Sequence, residues 1–191
     1  MQTQLPDGET ITIRPIEAAD RAQLVAGFDA TSEQSRFFRF MRGVDHLTET
    51  ELDYLVNVDG RDHVALVVVL GTGQGIGVAR YVRDPDDATV AEAALIVVDA
   101  HQGRGIGTNL LQALADTALE NGISAFTAYV LPENRAVVEA MTRAGADTES
   151  EDSLLRMTIR LPIDASLFAD SALRAALRRA AAGELSLNDQ F

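Results

Sequence analysis

The stretch Leu95–Leu111, LIVVDAHQGRGIGTNLL, decides the fold. Leu95-Ile96-Val97-Val98 is an apolar, β-rich run. Gln102-Gly103-Arg104-Gly105-Ile106-Gly107 is a glycine-rich turn, and a helix starts near Thr108 and carries Leu110, Leu111 and Leu114. Glycines let a backbone turn tightly and keep side chains away from its N–H groups. A helix that begins at such a turn aims unsatisfied donors, and the positive end of its dipole, at one spot. That spot suits a phosphate or pyrophosphate; the plainer reading is a tight strand-to-helix turn. A P-loop would need a lysine after its last glycine, and all sixteen basic residues here are arginine. A dinucleotide fingerprint would read G-x-G-x-x-G near the start of a βαβ unit. The spacing found is Gly103-x-Gly105-x-Gly107, about halfway along the chain.

Composition narrows the chemistry. A length of 191 residues fits one domain with a full core. No apolar run approaches the roughly 18 residues of a membrane span, and MQTQLPDGET has no signal-peptide character, so a cytoplasmic protein is expected. Without cysteine there is no disulfide, thiolate nucleophile or Cys metal site. Without lysine there is no Schiff base, and the scattered His46, His63 and His101 give no metal spacing. Carboxylates, hydroxyls and backbone groups remain. A net charge of −13 argues against nucleic acid and favours a cationic partner, an amine or a lysine-bearing surface; it also serves solubility alone.

Along the chain, Thr10–Arg14 alternates like a first strand and Ala19–Asp29 is helical. The segment Ser32–Met41 carries Phe37, Phe38 and Phe40 with Arg36 and Arg39; it either packs the core or flanks a substrate cleft. Thr48–Val56 is a helix with Thr48 and Glu51 as a capping box. Val64–Leu70 and Gly77–Val82 are neighbouring strands, and Gly71–Ile76 between them is a hairpin turn despite its glycines, because no helix follows. Thr89–Val98 is the central strand. It carries Glu92 among Ala91, Ala93 and Ala94: burial there would raise the carboxyl pKa towards that of a general base, whereas the plainer reading leaves Glu92 in water at the strand end, close to Asp87 and Thr89. Thr108–Asn121 is an amphipathic helix, Phe126–Val130 a strand, and a helix runs from Asn134 to Arg143. Leu154–Leu161 is the last strand, paired with a short one near Ala146–Thr148. A basic amphipathic helix over Ser171–Ala182 closes the chain.

The turn Q-G-R-G-I-G resembles the acyl-CoA pyrophosphate loop of the GNAT superfamily of N-acetyltransferases, Q/R-x-x-G-x-G/A, with Gln102, Gly105 and Gly107 at its fixed positions. The element order β-α-α-β-β-β-α-β-α-β over residues 8–161 is the GNAT order. Ser35–Phe40, Val78–Val82 and Ala91-Glu92-Ala93-Ala94 resemble the bacterial Pat-type protein lysine acetyltransferases.

The resemblance implies an α+β GNAT fold: a mixed, mostly antiparallel sheet flanked by helices over residues 1–161, with a C-terminal helical extension over 162–191. It implies acetyl-CoA as acyl donor, no metal, and transfer of an acetyl group to a protein lysine, with an acyl-CoA synthetase as first candidate acceptor. Neither nucleic acid nor membrane is a partner on this reading, and monomer and homodimer stay open. Glu92 falls on the general base. Ile96 and Val97 would pair with the pantetheine arm. Gln102, Gly103, Arg104, Gly105, Ile106, Gly107 and Thr108 would hold the pyrophosphate, and Asn134 fits the Asn that precedes the next helix in many GNATs. Arg36, Phe37 and Arg39 are candidate acceptor-binding residues. Met141 stands where many GNATs carry a tyrosine that protonates the leaving thiolate, so the general acid is unnamed. A GNAT acting on a small amine or a peptide N-terminus, and a non-catalytic acyl-CoA sensor, are the alternatives.

Overall fold

A computed structural model describes residues 1–164. The helix expected over Ser171–Ala182, with most of the expected extension, lies outside the described residues.

Three apolar runs set the middle of the molecule. Strand β3 (His63–Leu70) is buried on both faces along most of its length, as an interior strand must be. It pairs antiparallel with β2 (Thr10–Pro15) on one side and β4 (Gly75–Arg83) on the other, and β4 pairs antiparallel with β5 (Val90–Val97). The tight β3–β4 connection spans residues 71–74, with no helix after it; Gly75 and Ile76, expected in the turn, already belong to β4. Beyond β5 lie β6 (Ala125–Val130), β8 (Leu154–Arg160) and, at the edge, β7 (Asp147–Glu151). A short strand β1 (Gln2–Gln4) forms the opposite edge. Its sequence, QTQ, has no apolar signal and was not expected. Among the described residues the sheet has eight strands, and β5 with β6 is its one parallel pair.

Helix α4 (Ile106–Glu120) covers one face. It buries Ile106, Leu110, Leu114 and Ala118 against Ile76, Ala79, Tyr81 and Val97. On the other face lie α1 (Arg21–Asp29), α2 (Glu33–Phe40) and α3 (Glu49–Val56), where Ile16, Val56, Ala65 and Val67 form a smaller core. Alternation assigns the strand residues: Ala91, Ala93, Leu95 and Val97 turn to α4, so Glu92, Ala94, Ile96 and Val98 turn to α1–α3. Helix α5 (Arg135–Arg143) connects β6 to β7. Two starts differ from the sequence reading. A 3₁₀ turn at Ala18–Asp20 precedes α1, and α4 begins at Ile106 rather than Thr108 because Gly105 already serves as its N-cap.

Candidate active site

The site opens where two strands part. β5 and β6 pair in parallel only at Val90 with Ala125, Ala91 with Phe126 and Glu92 with Thr127. Beyond that point β5 stays with β4 as far as Val97–Gly77, while β6 stays with β8 as far as Val130–Leu155. The strands therefore diverge, leaving a gap beside Ala93–Val97. The N–H of Val98 donates to Ile76 O at 2.9 Å. By the alternation of an antiparallel ladder, Ile96 then exchanges its backbone bonds with β4, and Leu95 and Val97 turn theirs to the gap. Of the two residues expected at the pantetheine arm, Val97 turns its backbone groups to the gap and Ile96 does not; Leu95 also turns its groups there.

The glycine loop closes one end of this gap. After β5, a 3₁₀ turn (Asp99–His101) leads to Gln102, whose Nε2 donates to Val97 O at 2.8 Å; its buried Oε1 has no partner among the described residues. Gly105 has φ +87°, and a Cβ there would meet nothing within 4 Å, so glycine serves the backbone conformation and not the space. No side chain caps α4, so the amides of Ile106, Gly107 and Thr108 are left to a ligand or water. Arg104 does not reach for an anion. Its guanidinium is clamped to Asp7 (2.7 Å) and Glu9 (2.5 Å) and lies 3.1 Å from His101 Nδ1, so the turn before β2 is tied to the loop. Both carboxylates push the Arg104 pKa further up, and the Arg104 hydrogen bond holds Asp7 below the usual carboxylate range.

Glu92 sits on the α1–α3 face, exposed and with no hydrogen bond or ion pair among the described residues. The burial expected from its alanine neighbours is not found. Val82, its partner on β4, and Thr127, its partner on β6, flank it, but the face outside them is open. Tyr129, two residues beyond Thr127, shares that face and also makes no hydrogen bond among the described residues.

Helix α2 packs against β5 on the same face as Glu92. Ser32 caps it and accepts from Ser35 N–H at 3.2 Å. Asp99 fastens the same turn: it accepts from Ser32 N–H (2.8 Å), Ser32 Oγ (3.0 Å) and Ser35 Oγ (2.8 Å). None of the α2 aromatics enters the buried core; Phe37 is 45% exposed, while Phe40 packs 6.0 Å from Phe28. Arg36 lies over the Phe28 ring, with a buried Nε lacking a partner among the described residues, and Arg39 lies over Phe40. Arg36, Phe37 and Arg39 thus divide: Arg39 lines the cleft, Arg36 braces Phe28, and Phe37 faces outward.

Beneath Arg39 is Arg80, which sequence reasoning passed over. It sits opposite Ala94 on the same face and is 5% exposed. Its Nη1 lies 3.0 Å from His63 Nε2, and Nη2 donates to Leu55 O at 3.2 Å. Burial and the neighbouring Arg39 pull its pKa down to about 10. Burial also lowers the pKa of Arg39, against the opposing pull of Glu92 and Tyr54. The only available signal was a charged residue inside the apolar run Val78–Val82. Asn134 caps α5, accepting weakly from Val137 N–H at 3.5 Å, and Met141 follows on that helix, half-buried. Among the described residues there is no cluster of groups able to hold a metal and no helix long and apolar enough to cross a membrane.

Comparison with known proteins supports the same frame. The acetyltransferase (GNAT) domain family matches residues 10–147. The Acetyltransferase Pat of Mycolicibacterium smegmatis is 38% identical over 156 residues, which is 81% of this chain and 46% of that protein. The chain thus spans about half the length of that relative. The GNAT domain of S. lividans PAT superposes with a TM-score of 0.79 at 33% identity, covering 84% of this chain and 96% of that one. A cAMP-binding acyltransferase from Mycobacterium smegmatis gives 0.60 at 32% identity, over 95% and 53% of the two chains.

Proposed function

This chain belongs to the GNAT acetyltransferase family, and from that premise we propose that it transfers an acetyl group from acetyl-CoA to a protein lysine, with Glu92 as general base. The observation that carries the proposal is the carboxylate of Glu92, unpaired among the described residues, at the point where β5 and β6 separate, on a strand that leads through the glycine loop to an uncapped helix N-terminus. The gap between the strands has backbone groups of Leu95 and Val97 along one wall, which suits the amide-bearing pantetheine arm. The amides of Ile106, Gly107 and Thr108 suit the pyrophosphate.

In the step itself, Glu92 takes a proton from the lysine ammonium, directly or through water. The amine nitrogen attacks the thioester carbon, the new C–N bond forms and the C–S bond breaks. The thiolate leaves and is protonated, with Tyr129, on the same face as Glu92, as the candidate donor, and the second proton, shed by the nitrogen as the amide forms, restores the phenol through water. Holding amine and thioester in attack geometry can supply about 7–11 kcal/mol, and a positioned base a further 100- to 10,000-fold or so. A lysine acceptor fits the similarity to Pat and the net charge of −13.

An acceptor panel tests the reading. Acetyl-CoA is supplied with a purified acyl-CoA synthetase, with polyamines and with peptides bearing a free N-terminus. Acetylation of the synthetase at a lysine is expected. Activity on polyamines or N-termini alone would overturn the lysine assignment, and donor binding without any transfer would leave a sensor.

A further inference from the structure

Arg39 and Arg80 border the same cleft, and no carboxylate among the described residues bonds to either. Arg80 is nearly fully buried and bonds only to a carbonyl oxygen and to a histidine nitrogen. Arg39 makes no hydrogen bond or ion pair among the described residues; its neighbours are the Phe40 ring, Arg80, Tyr54 and, beyond ion-pair distance, Glu92. Two guanidiniums taken out of water next to each other are costly unless an anion joins them. A buried arginine pair is also well suited to a carboxylate, which it can grip through two parallel hydrogen bonds.

The two arginines border a cavity of about 80 Å³ whose other walls are mostly apolar, including Leu24, Phe28, Val78 and Ile96; the one acid on its lining, Asp20, is taken up by Arg14. That volume admits a few heavy atoms and excludes a folded acceptor surface. Its floor is formed by Val67 and Val69 of β3, Gly77 and Val78 of β4 and Ile96 of β5, and Ile96 lies beside the gap expected to hold the thioester. An acyl chain longer than acetyl, pointing away from the thioester, has this cavity to enter, and a negative charge at its far end would meet the arginines.

We propose that the cleft takes a second class of donor, a short dicarboxylic acyl-CoA such as succinyl-CoA, whose distal carboxylate is held between Arg39 and Arg80. The inference rests on the N-acyltransferase reading and keeps its chemistry. The amine attacks the thioester carbon, the C–N bond forms, the C–S bond breaks, CoA leaves as its thiol, and the distal carboxylate is unchanged. The product is an acyl-lysine carrying a negative charge in place of the ammonium.

The test uses the full chain with acetyl-CoA, butyryl-CoA and succinyl-CoA, one acceptor, and both kcat/KM and donor Kd. Butyryl-CoA matches succinyl-CoA in chain length without its charge. Succinyl-CoA is expected to bind more tightly and turn over faster than butyryl-CoA. Arg39→Gln is expected to lower the succinyl-to-acetyl ratio of kcat/KM about 10- to 100-fold, the range for a lost bond to a charged group. Arg80→Gln repeats the test if it folds; the more exposed Arg39 carries it otherwise. The proposal is overturned if butyryl-CoA equals succinyl-CoA, or if Arg39→Gln lowers all three donors alike. It is also overturned if the variant's loss follows a carboxylate placed on the acceptor instead. Acetyl transfer without succinyl transfer sinks this inference alone, whereas failure to bind any acyl-CoA sinks the underlying reading.

Discussion

The Ser35 hydroxyl donates to Asp99 Oδ1 at 2.8 Å, joining the first turn of α2 to the 3₁₀ turn that leads into the glycine loop. With the two bonds from Ser32, this makes Asp99 the link between the wall of the cleft and the loop expected to hold the donor. Asp99→Ala removes three bonds at once while leaving the Ser32 cap on Ser35 N–H. The variant is expected to lose about 1 kcal/mol of stability, in the range of a lost helix cap, and to exchange the amides of α2 faster than those of α4. Hydrogen exchange reads this directly, and equal exchange in variant and parent would show that the link is idle.

The two glycines at the start of α4 should respond in opposite directions. Gly105 holds a left-handed conformation in open space, so Gly105→Ala adds backbone strain of about 1–2 kcal/mol and no clash. Gly107 lies within the helix, and its Cβ would meet Leu95 Cδ2 at 3.5 Å, an ordinary contact. Gly107→Ala should therefore leave the melting temperature unchanged or raise it, by up to about 1 kcal/mol of helix propensity. Thermal melting of the two variants without ligand separates the cases.

Acid should weaken the α1 end of the cleft through Asp20. This buried carboxylate pairs with Arg14 at 2.6 and 2.7 Å and accepts from Glu17 N–H at 2.8 Å. The Arg14 hydrogen bond, ahead of the opposing effect of burial, holds its pKa below the ordinary value. A depressed folded-state pKa means that the contribution is complete above the unfolded value of about 3.9 and is lost as pH falls through the folded value. Asp20→Asn should cost about 1–3 kcal/mol at pH 7 and flatten the loss of stability below about pH 4. Urea unfolding at pH 7 and pH 3 measures both; an unchanged acid slope would contradict the assignment.

Local patterns carried much of this fold because they are local. The apolar run of β3, the Thr48–Glu51 capping box and the glycine turn each lie within a few residues, and each is found where its pattern predicts. What depends on distant pairing was not legible. The loop places the Arg104 amide by local pattern, but the commitment of its side chain to Asp7 and Glu9 is invisible there, because they are near it only in the folded sheet. Glu92 was placed on the right strand but expected to be buried, because its alanine neighbours do not reveal that β6 turns away after Thr127. Arg80 was hidden for the same reason: nothing in Val78–Val82 shows that His63 and Leu55 stand ready to receive its guanidinium.

The central claim is that Glu92 acts on the acceptor amine and not on donor binding. Thiol release from acetyl-CoA, measured for the parent and Glu92→Gln with a purified acyl-CoA synthetase as acceptor and paired with direct acetyl-CoA binding, tests it. Turnover is expected to fall about 100- to 10,000-fold while donor affinity is retained. Equal turnover in the two proteins, or loss of donor binding together with activity, would contradict it.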